Sequence, residues 1–286
     1  MTQLPSKIFI DGGVVDETRQ AREMLGYIDG QTTNPTLIAK NLSSKLGGGK
    51  LTSQDATNEY KRIVQEINQI IPAGSISIQV FANKGTKSEE MLIQARERNK
   101  WIPNASIKFP CIFEGLKAAE IACKEMAINI TLNFSQSQAA AVYEATKGAK
   151  YPVFISPFVG RLDDKGENGM QVVSHIINMY RQGDGHVEVL TASVRNLDHI
   201  FYALQLKSNI VTIPFKVFKE WADTSFKQPE ESYVYSKPEL KPIPFREDLV
   251  LGKAWQEYDL HHVLTDTGVE RFWYDWMGIV ESSLTK

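Results

Sequence analysis

Eight short runs rich in Ile, Val, Phe and Thr recur along the chain with longer amphipathic stretches between them. This alternation constrains the fold more than any other feature. The runs are Lys7–Asp11, Tyr27–Thr33, Ser75–Phe81, Ser106–Pro110, Ile128–Phe134, Pro152–Phe158, Val187–Ser193 and Ile210–Phe215. Their lengths and β-branched content are those of strands. Between them the apolar period is helical. Asp55–Ile71 puts Ile63, Ile67 and Ile70 on one face, and Leu197–Leu206 does the same with Ile200, Phe201 and Leu204. Ser88–Trp101 and Phe113–Met126 read likewise, and the Ala-rich Ser135–Lys147 stops at Gly148. Strands alternating with helices form parallel βαβ units, and eight such units close an α/β fold of the (β/α)8 TIM-barrel type. A doubly wound open sheet is the alternative. It wants a Gly-rich phosphate turn after its first strand, which Ile10-Asp-Gly-Gly-Val14 does not supply.

The barrel is assigned to residues 1–215 and a C-terminal extension to residues 216–286. Asn41–Asp55, with Gly47, Gly48 and Gly49, reads as a flexible loop and lacks the ending of a P-loop. In the extension, Gln228–Pro244 carries Pro229, Pro238, Pro242 and Pro244 and reads as an extended crossing. Helical patterns follow over Gly252–Leu264 and Thr267–Leu284. The second bears Phe272, Trp273 and Trp276, apolar surface that predicts packing on the barrel or on a neighbouring subunit of a homodimer.

Composition narrows the function class. With 32 basic and 34 acidic residues, and no block of five or six like charges, neither a nucleic-acid nor a membrane-surface partner is expected. No stretch approaches the ~18 apolar residues of a membrane span, and Met1–Lys7 does not read as a leader. Two cysteines, Cys111 and Cys123, make no disulfide framework, which points to a reduced, cytoplasmic setting. The five histidines stand at no metal-ligand spacing, so no metal or other cofactor is expected.

Barrel enzymes carry their chemistry at the C-terminal ends of the strands. The polar residues there are Asp11; Thr32 and Asn34; Gln79; Lys108; Asn129 and Thr131; Ser156 with Arg161; and Ser193 with Arg195. The eighth strand ends in Pro214-Phe215 and offers nothing polar. Lys108 alternates with Ile107 and Phe109, so it faces the barrel interior. Burial disfavours its ammonium and supplies the neutral amine of a Schiff-base nucleophile, although a salt-bridged structural lysine reads the same way. Asp11 is placed either to shuttle a proton or to cap the next helix. Arg161 and Arg195 follow adjacent strands, where two guanidinium forks suit a phosphate.

The motifs resemble those of transaldolases, Schiff-base enzymes on a (β/α)8 barrel. Gly30-Gln-Thr-Thr-Asn-Pro-Thr36 looks like the family's second-strand signature and Ile107-Lys-Phe-Pro110 like its lysine strand. Asn129-Ile-Thr-Leu132, Ile155-Ser-Pro-Phe-Val-Gly-Arg-Leu-Asp163 and Ala192-Ser-Val-Arg195 look like the fifth, sixth and seventh strand ends. Gly268-Val-Glu-Arg-Phe-Trp-Tyr-Asp275 is a fainter echo. The resemblance implies that Lys108 forms an imine with a ketose phosphate and Asp11 takes the C4 hydroxyl proton. It further implies that Asn34, Asn129 and Ser156 bind the dihydroxyacetone unit, while Thr131 positions a water. By the same resemblance, Arg161, Ser193 and Arg195 are expected to hold the phosphate.

One position departs from the pattern. Typical transaldolases, which this chain resembles, carry a glutamate on the third strand where it has Gln79, which can orient a water but not exchange a proton. Related fructose-6-phosphate aldolases share that glutamine but pair it with a tyrosine where this chain has Phe158. Transfer of dihydroxyacetone from sedoheptulose 7-phosphate or fructose 6-phosphate, in the pentose phosphate pathway, is therefore the leading expectation. Aldol release or a transaldolase for a related ketose is the close alternative, and a silent sugar-phosphate-binding barrel the remote one.

Overall fold

In the computed structural model of the chain, which describes residues 4–281, the eight runs stand parallel around one closed barrel, ordered as in the sequence. The strands are β1 (Lys7–Asp11), β2 (Gly30–Thr32), β3 (Ser75–Gln79), β4 (Ala105–Pro110), β5 (Ile128–Asn133), β6 (Val153–Pro157), β7 (Val187–Thr191) and β8 (Ile210–Pro214). The second is shorter than its sequence run, because Asp29 is used otherwise. Its carboxylate accepts the Ile8 N–H at 2.8 Å, and its own N–H donates to Ile8 O at 2.9 Å.

Alternate residues of each strand face the axis. The outward set, including Ile8, Ile10, Ile76, Ile78, Ile107 and Ile130, is fully buried beneath the helices, as expected of strands covered by crossover helices. Towards the N-terminal end, Phe9 and Phe154 meet edge to face at 6.3 Å inside the barrel. Gly30 makes this possible, since a Cβ there would lie 2.5 Å from the Phe9 ring and 2.3 Å from Ser75 O.

The helices are α1 (Val15–Leu25), α2 (Pro35–Leu46), α3 (Ser53–Ile70), α4 (Ser88–Arg98), α5 (Phe113–Ala122), α6 (Gln136–Ala145), α7 (Val159–Asp163), α8 (Gly169–Tyr180), α9 (Leu197–Gln205), α10 (Phe215–Asp223) and α11 (Val263–Met277). Helix α10 packs against α9 and α1 and closes the outer ring. The loop expected over Asn41–Asp55 shrinks to residues 47–52. Buried Asn41 belongs to α2 and donates to Gly13 O at 2.7 Å, Gly47 ends that helix at φ +56°, and Thr52 caps α3.

Beyond α10 the chain runs over the outer helices. Lys237 pairs with Asp198 on α9, Ile243 N donates to Gln171 on α8, Arg246 N to Gln136 on α6, and the Trp255 indole to Glu120 on α5. Residues 252–262 hold one 3-10 turn, Trp255–Glu257, in place of the helix expected over Gly252–Leu264. Three of their N–H groups go to carboxylates: Gly252 to Glu144, Ala254 to Glu257, and His261 to Asp259. The last predicted helix is α11, capped by His262; residues 282–284 of that prediction lie outside the described residues. Helix α11 lies across the C-terminal mouth of its own barrel. Thr265 donates to Leu132 O at 2.9 Å, Thr36 donates to Asp275 at 2.5 Å, and Trp276 stacks on Phe81 at 4.1 Å. Among the described residues no helix is long and apolar enough to cross a membrane.

Candidate active site

Parallel register brings three polar side chains of neighbouring strands level inside the barrel: Gln79 pairs with Lys108, and Lys108 with Asn129. Lys108 is 2% exposed, and its Nζ donates to Thr33 O at 3.1 Å. Burial pulls its pKa down to about 8, against the pull of the Asp11 carboxylate and with that of Arg161. A substantial neutral fraction therefore exists near physiological pH.

Asp11 ends β1 beside Thr32 and Pro214. Burial raises its pKa; Lys108, the Thr32 hydroxyl, Arg195 and Arg161 act against that, in this order. Thr32 Oγ1 donates to Asp11 Oδ1 at 2.7 Å and stands 2.7 Å from Thr212 Oγ1. A hydroxyl has one proton, so Thr212 donates to Thr32 and the order is Thr212, Thr32, Asp11. The eighth strand thus does contribute a polar group, two residues below the end where none was expected. Its inward register, matching Phe9 on β1, was the available signal.

Around the lysine, polar atoms divide into engaged and free. Ser156 Oγ donates to Asn129 Oδ1 at 2.7 Å, and Asn129 Nδ2 donates to Ser77 Oγ at 3.1 Å. Gln79 Oε1 and Thr131 Oγ1 are buried without a hydrogen-bond partner among the described residues. Buried polar atoms are rarely left so, and two on the strands flanking β4 mark where a water or a substrate hydroxyl belongs. A void of about 10 Å³, room for a single water, adjoins Gln79 between Pro110 and the α11 residues Val269 and Phe272. Gln79 is itself held by Tyr60, whose hydroxyl accepts the Gln79 N–H at 3.1 Å and lies 2.6 Å from Thr33 Oγ1. Asn34 caps α2, its Oδ1 accepting the Leu37 N–H at 3.0 Å.

The arginines sit over the ends of β6 and β7. Gly160 N donates to Ser193 O at 3.0 Å, which fastens the two loops together, and Ser193 turns the chain at φ +60°. Arg195 lies across Gly160, where a Cβ would come within 2.4 Å of its Cγ, and reaches Asp164 at 3.0 Å. Its backbone N–H donates to His199 Nδ1 at 3.2 Å, which leaves the imidazole proton on Nε2, directed at Asp163 at 2.7 Å. Arg161 is different. Among the described residues it makes no hydrogen bond and no ion pair; its guanidinium lies 5.3 Å from the Phe158 ring centre and 5.4 Å from that of Phe272. Burial, then the charges of Arg271 and Arg195, bring its pKa down to about 10. Neither Arg271 nor Phe272 stands at a strand end, so the rule applied to the sequence passed over both.

Every site residue named from the sequence lies at or just below this one mouth. Among the described residues no three His, Cys, Asp or Glu side chains gather as metal ligands. Cys111 is buried, and burial pushes its thiol pKa well up, so it is no nucleophile.

The transaldolase/fructose-6-phosphate aldolase family profile matches residues 8–283. A probable transaldolase of Dehalococcoides mccartyi is 32% identical over 274 residues, covering 96% of this chain and 99% of that protein. Similar proteins of the same description occur in a Thermoanaerobacter species, 35% identical over 94% of this chain and 96% of its own, and in Clostridium botulinum, 40% identical over 74% and 86%.

Proposed function

Since the chain belongs to the transaldolase/fructose-6-phosphate aldolase family, we propose that it is a transaldolase, moving a dihydroxyacetone unit from a ketose phosphate to an aldose phosphate through an imine on Lys108. The observation that carries this reading is a buried lysine with a pKa near 8, flanked by a carboxyl group and two unsatisfied polar atoms.

The neutral Lys108 amine adds to the C2 carbonyl carbon of the ketose. The resulting carbinolamine loses hydroxide as water, with a proton from Asp11 passed through a water held by Gln79 and Thr131, and an iminium remains. Asp11, again a carboxylate, takes the C4 hydroxyl proton. The C3–C4 bond breaks, its electron pair moves into the iminium, and an aldehyde phosphate leaves an enamine on Lys108. A second aldehyde takes the enamine carbon, Asp11 returns the proton to the new alkoxide, and water hydrolyses the iminium. Asn34, Asn129 and Ser156 hold the hydroxyls of the dihydroxyacetone unit, with Thr32 keeping Asp11 in place. Arg161, Ser193 and Arg195 bind the phosphate. The cover of α11 supports transfer, because an enamine awaiting its acceptor must be kept from water.

Gln79 favours a second reading, aldol release, in which the enamine is protonated and dihydroxyacetone leaves. Phe158 speaks for transfer, since it has no hydroxyl to bring a proton and its ring instead backs Arg161. The test is glyceraldehyde 3-phosphate release from fructose 6-phosphate, with and without erythrose 4-phosphate. Transfer predicts release only with the acceptor; equal release without it makes the protein an aldolase. Borohydride with fructose 6-phosphate should fix a covalent adduct on the wild type and none on Lys108→Met. No adduct on either would leave only sugar-phosphate binding. A cytoplasmic setting, and the pentose phosphate pathway as the source of substrates, accord with this reading.

A further inference from the structure

The C-terminal helix does more than roof the mouth. We propose that α11 builds half of the anion receptor, with Phe272 as the positioning residue that keeps Arg161 free for a phosphate; this rests on the reading of Arg161 as a phosphate ligand.

A guanidinium carries its N–H donors in its plane and its π surface above and below. Phe158, from the end of β6, stands 5.3 Å from Arg161, and Phe272, from α11, stands 5.4 Å away. Within cation–π reach of both rings, the cation is stabilised without a hydrogen-bond donor being spent. That fits its lack of a hydrogen-bonding partner among the described residues, although it is partly buried. Arg195 makes the contrast: it is bonded to Asp164 and must release that carboxylate to meet an anion with all its donors.

The helix is fixed close enough for this task. A Cβ on Gly268 would come 2.9 Å from Arg161 Nη1 and 2.6 Å from Leu132 Cδ2, so only glycine admits α11 at this distance. Thr265 ties the start of the helix to Leu132 O, and Asp275 ties its end to Thr36. Arg271, beside Phe272, adds a positive charge that Arg161 feels more strongly than that of Arg195. An arriving dianion relieves this crowding of like charges, which directs the site to phosphate rather than to a neutral sugar end.

The experiment is calorimetric titration of the full-length protein with inorganic phosphate, for the wild type, Phe272→Leu and Phe272→Tyr. Leucine keeps the apolar contact but loses the ring face, so Arg161 must be immobilised on binding. Phosphate should then bind about two- to tenfold more weakly, and tyrosine should restore it. In turnover, Phe272→Leu should raise KM for fructose 6-phosphate by the same factor and leave kcat nearly unchanged. If Phe272→Leu does not fold, Gly268→Ala, which crowds Arg161 from the same helix, takes its place with the same expectation. Wild-type affinity in a folded variant, no measurable phosphate binding by the wild type, or failure of tyrosine to restore binding overturns the proposal. Borohydride trapping with dihydroxyacetone, which has no phosphate, separates the two readings. Its absence in the wild type removes the Lys108 chemistry and leaves the phosphate series to stand or fall alone.

Discussion

Replacing the lysine to which we assign the imine chemistry should make the protein more stable. Lys108→Met keeps the length of the side chain and removes its charge from a site that is 2% exposed. The native lysine titrates at about 8 against 10.5 for a free one. At 1.36 kcal/mol per pH unit, holding the ammonium in the barrel costs about 3 kcal/mol. Loss of the 3.1 Å hydrogen bond to Thr33 O returns about 1 kcal/mol of that, leaving a gain of about 2 kcal/mol at pH 7. The sign with pH follows from proton counts. Well below pH 8 both native and unfolded lysines are protonated and the wild type bears the full cost, most of which is still present at pH 7. Between about 8 and 10.5 the unfolded state binds more protons, so wild-type stability rises with pH and its deficit disappears. Denaturant midpoints at pH 7, 8.5 and 10 should therefore show Lys108→Met ahead at pH 7, with the lead closing by pH 10. Repeating the series in an Asp11→Asn background removes the offset from Asp11, which loses its neighbouring cation. A variant less stable than the wild type at pH 7, or a lead that does not change with pH, would refute the burial argument.

Two further outcomes are expected. Asp11→Asn removes the charge that holds the Lys108 pKa up, so the pH midpoint of borohydride trapping with dihydroxyacetone should fall below about 8 while turnover drops about 10²–10⁴-fold; an unmoved midpoint means that the two groups are not coupled. Gly30→Ala forces a methyl group against Ser75 O and the Phe9 ring and should cost about 1–3 kcal/mol in unfolding experiments, with a wild-type midpoint showing that the barrel interior has room to spare.

The barrel was legible because each strand had to satisfy two requirements at once. Outward residues such as Ile76, Ile78 and Ile107 must be apolar under helices, and the runs must be short enough to span one barrel wall. Lys108 stood out against that background, since its neighbours fixed which way it faced. What the sequence concealed has a physical origin too. Asn41 looks like a loop residue but spends its amide on Gly13 O, and residues 252–262 have a helical apolar period yet give three of their N–H groups to side-chain carboxylates, one distant (Glu144) and two local (Glu257 and Asp259). Thr212, Phe272 and Arg271 lay outside any rule based on strand ends. The first acts through Thr32, and the other two arrive on a helix whose place over the mouth no local pattern encodes.

The placement of α11 also sets an order of events during synthesis. Thr265 meets Leu132 across 133 residues, and Thr36 meets Asp275 across 239. Chains fold from the N-terminus as they are made, and such distant pairs form late. All eight strands, with Lys108 and Asp11 in register, are translated before the helix that covers them. The strands that carry Lys108 and Asp11 are thus complete before the helix that covers them exists, and the cover is the last part of the mouth to be supplied.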